Sequence, residues 1–183
     1  MSDDVRRQLV LGGQRSGKSR HAQALALDWC RRSATHRASL VATAQIHDDE
    51  MRARVERHRR ERPPELATAE VPRNLARFVA RHGNPQHLLV VDCLTLWLAQ
   101  WLMPMDGAPD LEAWARERDA LLAAVESSAG PLVLVSNEIG LGVMPLGAET
   151  RAAVDELGRL HQALAQRCER VTLMVAGLPL VIK

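Results

Sequence analysis

Gly12-Gly13-Gln14-Arg15-Ser16-Gly17-Lys18-Ser19 fits the pattern G-x-x-x-x-G-K-S/T at every position, and the rest of the chain is read outward from it. A triphosphate needs closely spaced backbone N–H donors, a mobile cation and a hydroxyl able to sit on Mg²⁺. Gly12 and Gly17 allow backbone conformations that a Cβ would obstruct. The amides from Gly13 through Gln14, Arg15 and Ser16 can then turn inward as an anion-binding nest. Lys18 would reach the β and γ phosphates and Ser19 would bind Mg²⁺. The apolar run Gln8-Leu9-Val10-Leu11 predicts a strand before the loop, and Ser19 to Cys30 predicts a helix after it with Ala22, Leu25, Ala26 and Trp29 on one face. Strand, loop, helix is the order the pattern requires, and the helix N-terminus adds its partial positive charge at the same place.

The pattern continues as strands alternating with helices. Further strands are expected at Ala38–Thr43, Leu66–Val71, Leu88–Asp92, Leu132–Ser136, Val171–Ala176 and Leu180–Ile182. Helices are expected at Asp48 to about Arg60, Asn74–His82, Leu94–Met105, Leu111–Ser127 and Glu149–Cys168. Continuous aliphatic runs such as Leu88-Leu89-Val90-Val91 suit parallel strands covered on both faces, so the fold class is α/β with a mainly parallel sheet. The last two strands, separated by Gly177-Leu178-Pro179, suit a closing hairpin, which makes the C-terminal strand antiparallel. Leu94 to Met105 is apolar almost all round, with Trp97 and Trp101 four apart; such a helix crosses the core or meets another subunit.

With 183 residues the chain suits a single domain over 1–183. A net charge of +2 from 24 basic and 22 acidic residues gives no global attraction for nucleic acid or an anionic membrane. Neither a signal-peptide core at the charged start nor a run of membrane-spanning length is expected. Cys30, Cys93 and Cys168 lack C-x-x-C spacing and suggest reduced thiols of a cytoplasmic protein.

Ligands in open α/β sheets bind at the carboxyl ends of the strands. Asp92 ends an apolar strand where a second magnesium-binding acid is expected; the other reading is an acid capping the next helix. Glu138, in the loop after another strand, could orient a nucleophile or bind Mg²⁺, or could be bonded to backbone amides. His58 has Arg54 and Arg62 four residues before and after it on one helix face, with Arg59 nearby. Flanking cations favour a neutral, nucleophilic imidazole and attract polyphosphate, while a plain solvated helix fits the same residues.

Several separate motifs now stand in order: the loop with Arg20-His21-Ala22, Ala42-Thr43-Ala44-Gln45-Ile46 with Asp48-Asp49-Glu50-Met51, Arg54-Val55 leading to His58 and Arg62-Pro63, Asn137 to Pro145, Gly158-Arg159-Leu160 with Gln162, and Val175-Ala176-Gly177 to Lys183. Over nearly its whole length the chain resembles the bifunctional adenosylcobinamide kinases and adenosylcobinamide-phosphate guanylyltransferases of cobalamin biosynthesis. The resemblance implies a recombinase-type P-loop, three-layer fold and a homotrimer with sites near subunit contacts, for which the Trp97 and Trp101 helix is the candidate. It implies transfer of the terminal phosphate of ATP or GTP to the aminopropanol hydroxyl of adenosylcobinamide. GTP then gives GMP to a histidine, which maps to His58, and the GMP passes to adenosylcobinamide phosphate. On this reading Lys18 and His58 are catalytic, and Gly12 to Ser19 with Glu70 and Asp92 bind nucleotide. Ser19 and Asp92 hold Mg²⁺, and Arg54, Arg62 and Glu138 are accessory. The resemblance departs at His161, commonly Asn in the family, and at Asp92, which is Glu in some members. The loop by itself would equally serve a small-molecule kinase without guanylyl transfer, or a nucleotide-dependent switch or motor subunit.

Overall fold

Arg7–Gly12 forms strand β1, buried from Gln8 onward. It is an inner strand of a seven-stranded sheet in a computed structural model that describes residues 5–45, 49, 52–53, 56, 60 and 63–183. The elements that follow are α1 (Lys18–Arg31), β2 (Arg37–Ala42), β3 (Ala67–Glu70), α2 (Leu75–His82), β4 (His87–Asp92), α3 (Leu94–Leu102), α4 (Leu111–Ser127), β5 (Leu132–Val135), α5 (Ala148–Arg167), β6 (Arg170–Val175) and β7 (Leu178–Val181). The sheet order is β3-β2-β4-β5-β1-β6-β7. Every pairing is parallel except β6 with β7, where Thr172 faces Val181 and Val175 faces Leu178.

Because side chains alternate along a strand, the two faces of this sheet build two cores. Leu9, Leu89, Val91, Leu132 and Leu134 join α2, α3, α4 and α5 on one side. Val10, Val90, Val133 and Val135 meet Ala22 and Ala26 of α1 on the other. The result is the expected three-layer α/β arrangement, and it accounts for the unbroken aliphatic runs of β4 and β5: neither face meets water.

Three expectations require correction. Helix α3 ends at Leu102, short of Met105, because Met103 precedes Pro104 and a residue before proline is driven out of the helical region; Met103 has φ −137° and ψ 54°. Trp97, offered above as part of a subunit contact, is fully buried within the chain and packs on Trp114 with ring centroids 5.1 Å apart at 60°. Trp101 is only half-buried, with the Arg73 guanidinium 4.9 Å from its ring. The closing hairpin is tighter than expected: Ala176 and Gly177 form the turn with φ of 50° and 83°, and Leu178 and Pro179 already belong to β7. Two positive φ values match the twist of a two-residue hairpin, and proline is tolerated because β7 is an edge strand.

Candidate active site

The loop after β1 is a cradle whose shape leaves no room at its entrance. Gly12 has φ +149°, and a Cβ there would lie 2.6 Å from both the Met174 carbonyl oxygen and Ser16 Oγ. Gly17, the N-cap of α1, has φ +96° and passes close to the Gly177 backbone. The loop is tied down by Ser16 N–H donating to Gly13 O (3.2 Å) and Gly177 N–H donating to Ser16 O (3.0 Å). Lys18 is buried, and its Nζ donates to Gly13 O at 2.7 Å. Ser19 lies in the first turn of α1, which carries no acidic residue, so nothing there offsets the positive end of the helix. Ser16 Oγ is buried with no hydrogen-bond partner among the described residues. A buried hydroxyl is costly to leave unmatched, and this one lies against Gly12, where β1 enters the loop.

Across the carboxyl edge of the sheet, register sets which acids approach this cradle. Ala42 lies opposite Asp92 on one side and Glu70 on the other, and Asp92 lies opposite Val135, which itself faces Val10. With strands about 4.8 Å apart, Asp92 is two strands, or about 10 Å, from β1, whereas Glu70 is four strands, or about 19 Å, away. Asp92 therefore lies nearer the Gly12–Ser19 loop, and Glu70 stands on the edge strand β3.

The helix-capping alternative for Asp92 is not what the fold uses: the N-cap of α3 is Cys93, with no side-chain cap bond. Instead the backbone around Asp92 is clamped. Thr43 N–H donates to Asp92 O (3.2 Å), Thr43 Oγ1 donates to Cys93 O (2.6 Å) and Cys93 N–H donates to Thr43 Oγ1 (2.9 Å). Gln100 Nε2 donates to Thr43 O at 2.6 Å. The Asp92–Cys93 peptide is cis.

At the end of β5, between the strands carrying the cradle and Asp92, Glu138 N–H donates to Gly12 O (2.9 Å) and Gly140 N–H donates to Glu138 Oε1 (2.8 Å). Glu138 Oε2 lies 3.5 Å from Nδ1 of His161, on the buried face of α5. His161 Nε2 meets Ser136 Oγ at 2.8 Å, Ser136 Oγ meets Thr95 Oγ1 at 3.1 Å, and Asn137 N–H donates to Thr95 Oγ1 at 2.9 Å. Burial lowers the His161 pKa, partly countered by the Glu138 charge and hydrogen bond. The backbone-amide reading of Glu138 is thus realised at one of its oxygens, and a titratable partner sits at the other.

Thr43, Thr95, Gln100 and Ser136 were not singled out from sequence for these roles. The available signal was a polar residue closing an aliphatic run, as in Val41-Ala42-Thr43 and Val135-Ser136. His58, Arg54 and Arg62 lie outside the described residues.

All three cysteines are free, with Cys93 and Cys168 buried and Cys30 half-buried. Burial pushes the Cys93 thiol up to about 11 and the Cys168 thiol up to about 12. Since only the thiolate reacts, an aromatic disulfide reagent at pH 8 is expected to titrate Cys30 alone in the folded protein and all three after denaturation. Three fast-reacting thiols in the native protein would contradict this packing.

The sequence profile of the family described as cobinamide kinase / cobinamide phosphate guanyltransferase matches residues 8–182. The chain is 47% identical over 177 residues to the bifunctional adenosylcobalamin biosynthesis protein CobP of Pseudomonas aeruginosa, covering 97% of each. It is 36% identical to CobU, the protein of the same description in Escherichia coli, and 37% identical to CobU of Salmonella typhimurium, in each case covering 96% of this chain and 98% of the relative.

Proposed function

Since the chain belongs to the cobinamide kinase / cobinamide phosphate guanyltransferase family and is a bifunctional kinase and guanylyltransferase of adenosylcobalamin biosynthesis, we propose that its Gly12–Ser19 loop performs the kinase step and His58 the guanylyl transfer. The observation that carries the first assignment is the shape of the loop between β1 and α1, with Gly12 and Gly17 at φ +149° and +96° and the buried Lys18 ammonium held on Gly13 O inside it.

In the kinase step the loop amides take the phosphates of ATP or GTP, and Lys18 moves from Gly13 O to a β or γ oxygen. Ser19 and Asp92 offer Mg²⁺ a hydroxyl and a carboxylate. That is the sparse, oxygen-only set this ion accepts while keeping waters and phosphate oxygens as its other ligands. When bound, the ion neutralises charge developing between the β and γ phosphates. The acceptor is the aminopropanol hydroxyl of adenosylcobinamide.

In the guanylyl step a nitrogen of His58 attacks the α phosphorus of GTP, pyrophosphate leaves, and the GMP passes to the phosphate of adenosylcobinamide phosphate. Arg54 and Arg62 flank that histidine in sequence and would neutralise the polyphosphate. Glu70, on the edge strand β3, would meet the nucleotide away from its phosphates. We further place the protein in the cytoplasm as a homotrimer of single-domain subunits; among the described residues no helix is long and apolar enough to cross a membrane.

GTP labelled at the α phosphorus should leave an acid-labile, alkali-stable label on the wild-type protein and none on His58→Ala. An unlabelled wild type supplied with Mg²⁺ would sink the guanylyl-histidine route, and a labelled His58→Ala would move it to another residue.

A further inference from the structure

The hydrogens of the buried chain behind Glu138 can be placed by elimination. A carboxylate only accepts, so a neutral His161 that turns an Nδ1–H toward Glu138 Oε2, 3.5 Å away, accepts at Nε2. In that tautomer Ser136 O–H donates to Nε2 and Thr95 O–H to Ser136 Oγ, while Asn137 N–H donates to Thr95 Oγ1. Each donor points the same way, so the bonds polarise one another toward the carboxylate. Ser136 is fully buried and His161 nearly so, while the Glu138 side chain keeps 22% of its surface exposed. The chain thus runs from the interior to one accessible carboxylate. That carboxylate belongs to a residue whose own N–H is bonded to Gly12, and β5 lies between the strands that present Lys18 and Asp92.

We propose that Glu138 is the proton acceptor for the substrate hydroxyl in the kinase step and that His161 is the positioning residue that holds its carboxylate, with Ser136 and Thr95 fixing the imidazole from behind. This rests on the placement of the kinase step at the Gly12–Ser19 loop. As the hydroxyl oxygen bonds to the γ phosphorus, its proton passes to Glu138. The bond from the γ phosphorus to the β–γ bridging oxygen breaks, and the electron pair leaves with the nucleoside diphosphate. Glu138 then releases the proton to solvent through its exposed side.

Glu138→Gln keeps the volume and an oxygen for Gly140 N–H but cannot take a proton. Phosphorylation of cobinamide by this variant is expected to fall in kcat by about 100-fold, the lower end for a general base because phosphoryl transfer is loose, with nucleotide KM within about threefold. His161→Leu removes both ring contacts and should lose about tenfold in kcat, whereas His161→Asn, which restores an N–H toward Glu138, should recover most of that loss. Labelling by α-labelled GTP needs no hydroxyl deprotonation and should survive in Glu138→Gln, which also reports folding. A Glu138→Gln kcat within threefold of wild type, or equal losses in His161→Leu and His161→Asn, overturns the proposal. Lys18→Ala run alongside separates the two levels: if it loses phosphorylation while Glu138→Gln does not, only this proposal fails. If neither loses it, the placement of the kinase step fails and takes this proposal with it.

Discussion

Lys18→Ala is expected to reduce phosphorylation of cobinamide by on the order of 100- to 1,000-fold, about 2.7–4 kcal/mol of transition-state stabilisation, the usual effect of removing one preorganised donor at developing charge. Lys18 is 7% exposed and its ammonium rests on Gly13 O at 2.7 Å, so it is held inside the loop before any nucleotide arrives. Exchanging a neutral carbonyl for an anionic phosphate oxygen strengthens its bond without a long excursion. Little of the side chain's ordering remains to be done when phosphate binds, which is why its loss falls on the chemical step. Folding should suffer less: the bond to Gly13 O is of the charge-assisted type, worth about 1.5–3 kcal/mol. Steady-state kinetics beside a thermal melt would separate the two, and near-wild-type phosphorylation by Lys18→Ala would refute the loop's assignment to this reaction. Lys18→Arg should not rescue, since a planar fork cannot stand in for a compact point charge where a buried lysine is surrounded by loop backbone.

What could be read from sequence divides along physical lines. Repeating aliphatic runs encode burial on both sheet faces, so β1, β4 and β5 were legible, as was α5 from the spacing of Leu157, His161 and Leu164, all buried. Single residues with a dominant local effect were less so. Pro104 acts on Met103 and shortened α3, and Ala176 adopts a positive φ that alanine rarely takes, which moved the hairpin turn. Burial of Trp97 depended on α4 crossing behind α3 to bring Trp114 against it, a tertiary fact that an all-apolar helix cannot announce. In the site, the loop motif carried its own chemistry because its donors are contiguous in sequence. The clamp on Asp92 joins Thr43 to Cys93, fifty residues apart, and the chain behind Glu138 joins Thr95, Ser136 and His161 from three elements. Contacts of that kind exist only once strand order is known, since β5 must lie beside β4 for Ser136 to reach Thr95.

Of the two adjacent glycines that open the loop the motif requires only the first, and their replacements should behave very differently. Gly12→Ala places a Cβ 2.6 Å from the Met174 carbonyl oxygen and 3.1 Å from Met174 Cβ, at a φ of +149°. Met174 is the residue that faces Gly12 across the β1–β6 pairing, so the clash is with the ladder itself and cannot be relieved by turning a flexible side chain. The strained backbone costs about 1–3 kcal/mol and overpacking about 1–3 kcal/mol more. The combined loss of about 2–6 kcal/mol corresponds to a fall in Tm of roughly 4–24 °C for a chain of this size. Relief would come from parting β1 and β6 or from displacing Ser16, whose hydroxyl is the other atom met at 2.6 Å. Either movement spoils the cradle, so nucleotide affinity should fall with stability. Gly13→Ala meets nothing within 4 Å and should melt within about 0.5 kcal/mol of wild type. Calorimetry of the two variants without nucleotide is the decisive comparison, and equal melting temperatures would mean that Gly12 does not pack against β6 as described. The motif asks for glycine at Gly12 on behalf of the phosphate. Here the neighbouring strand makes the same demand before any phosphate binds, so the loop is shaped by the fold it grows from.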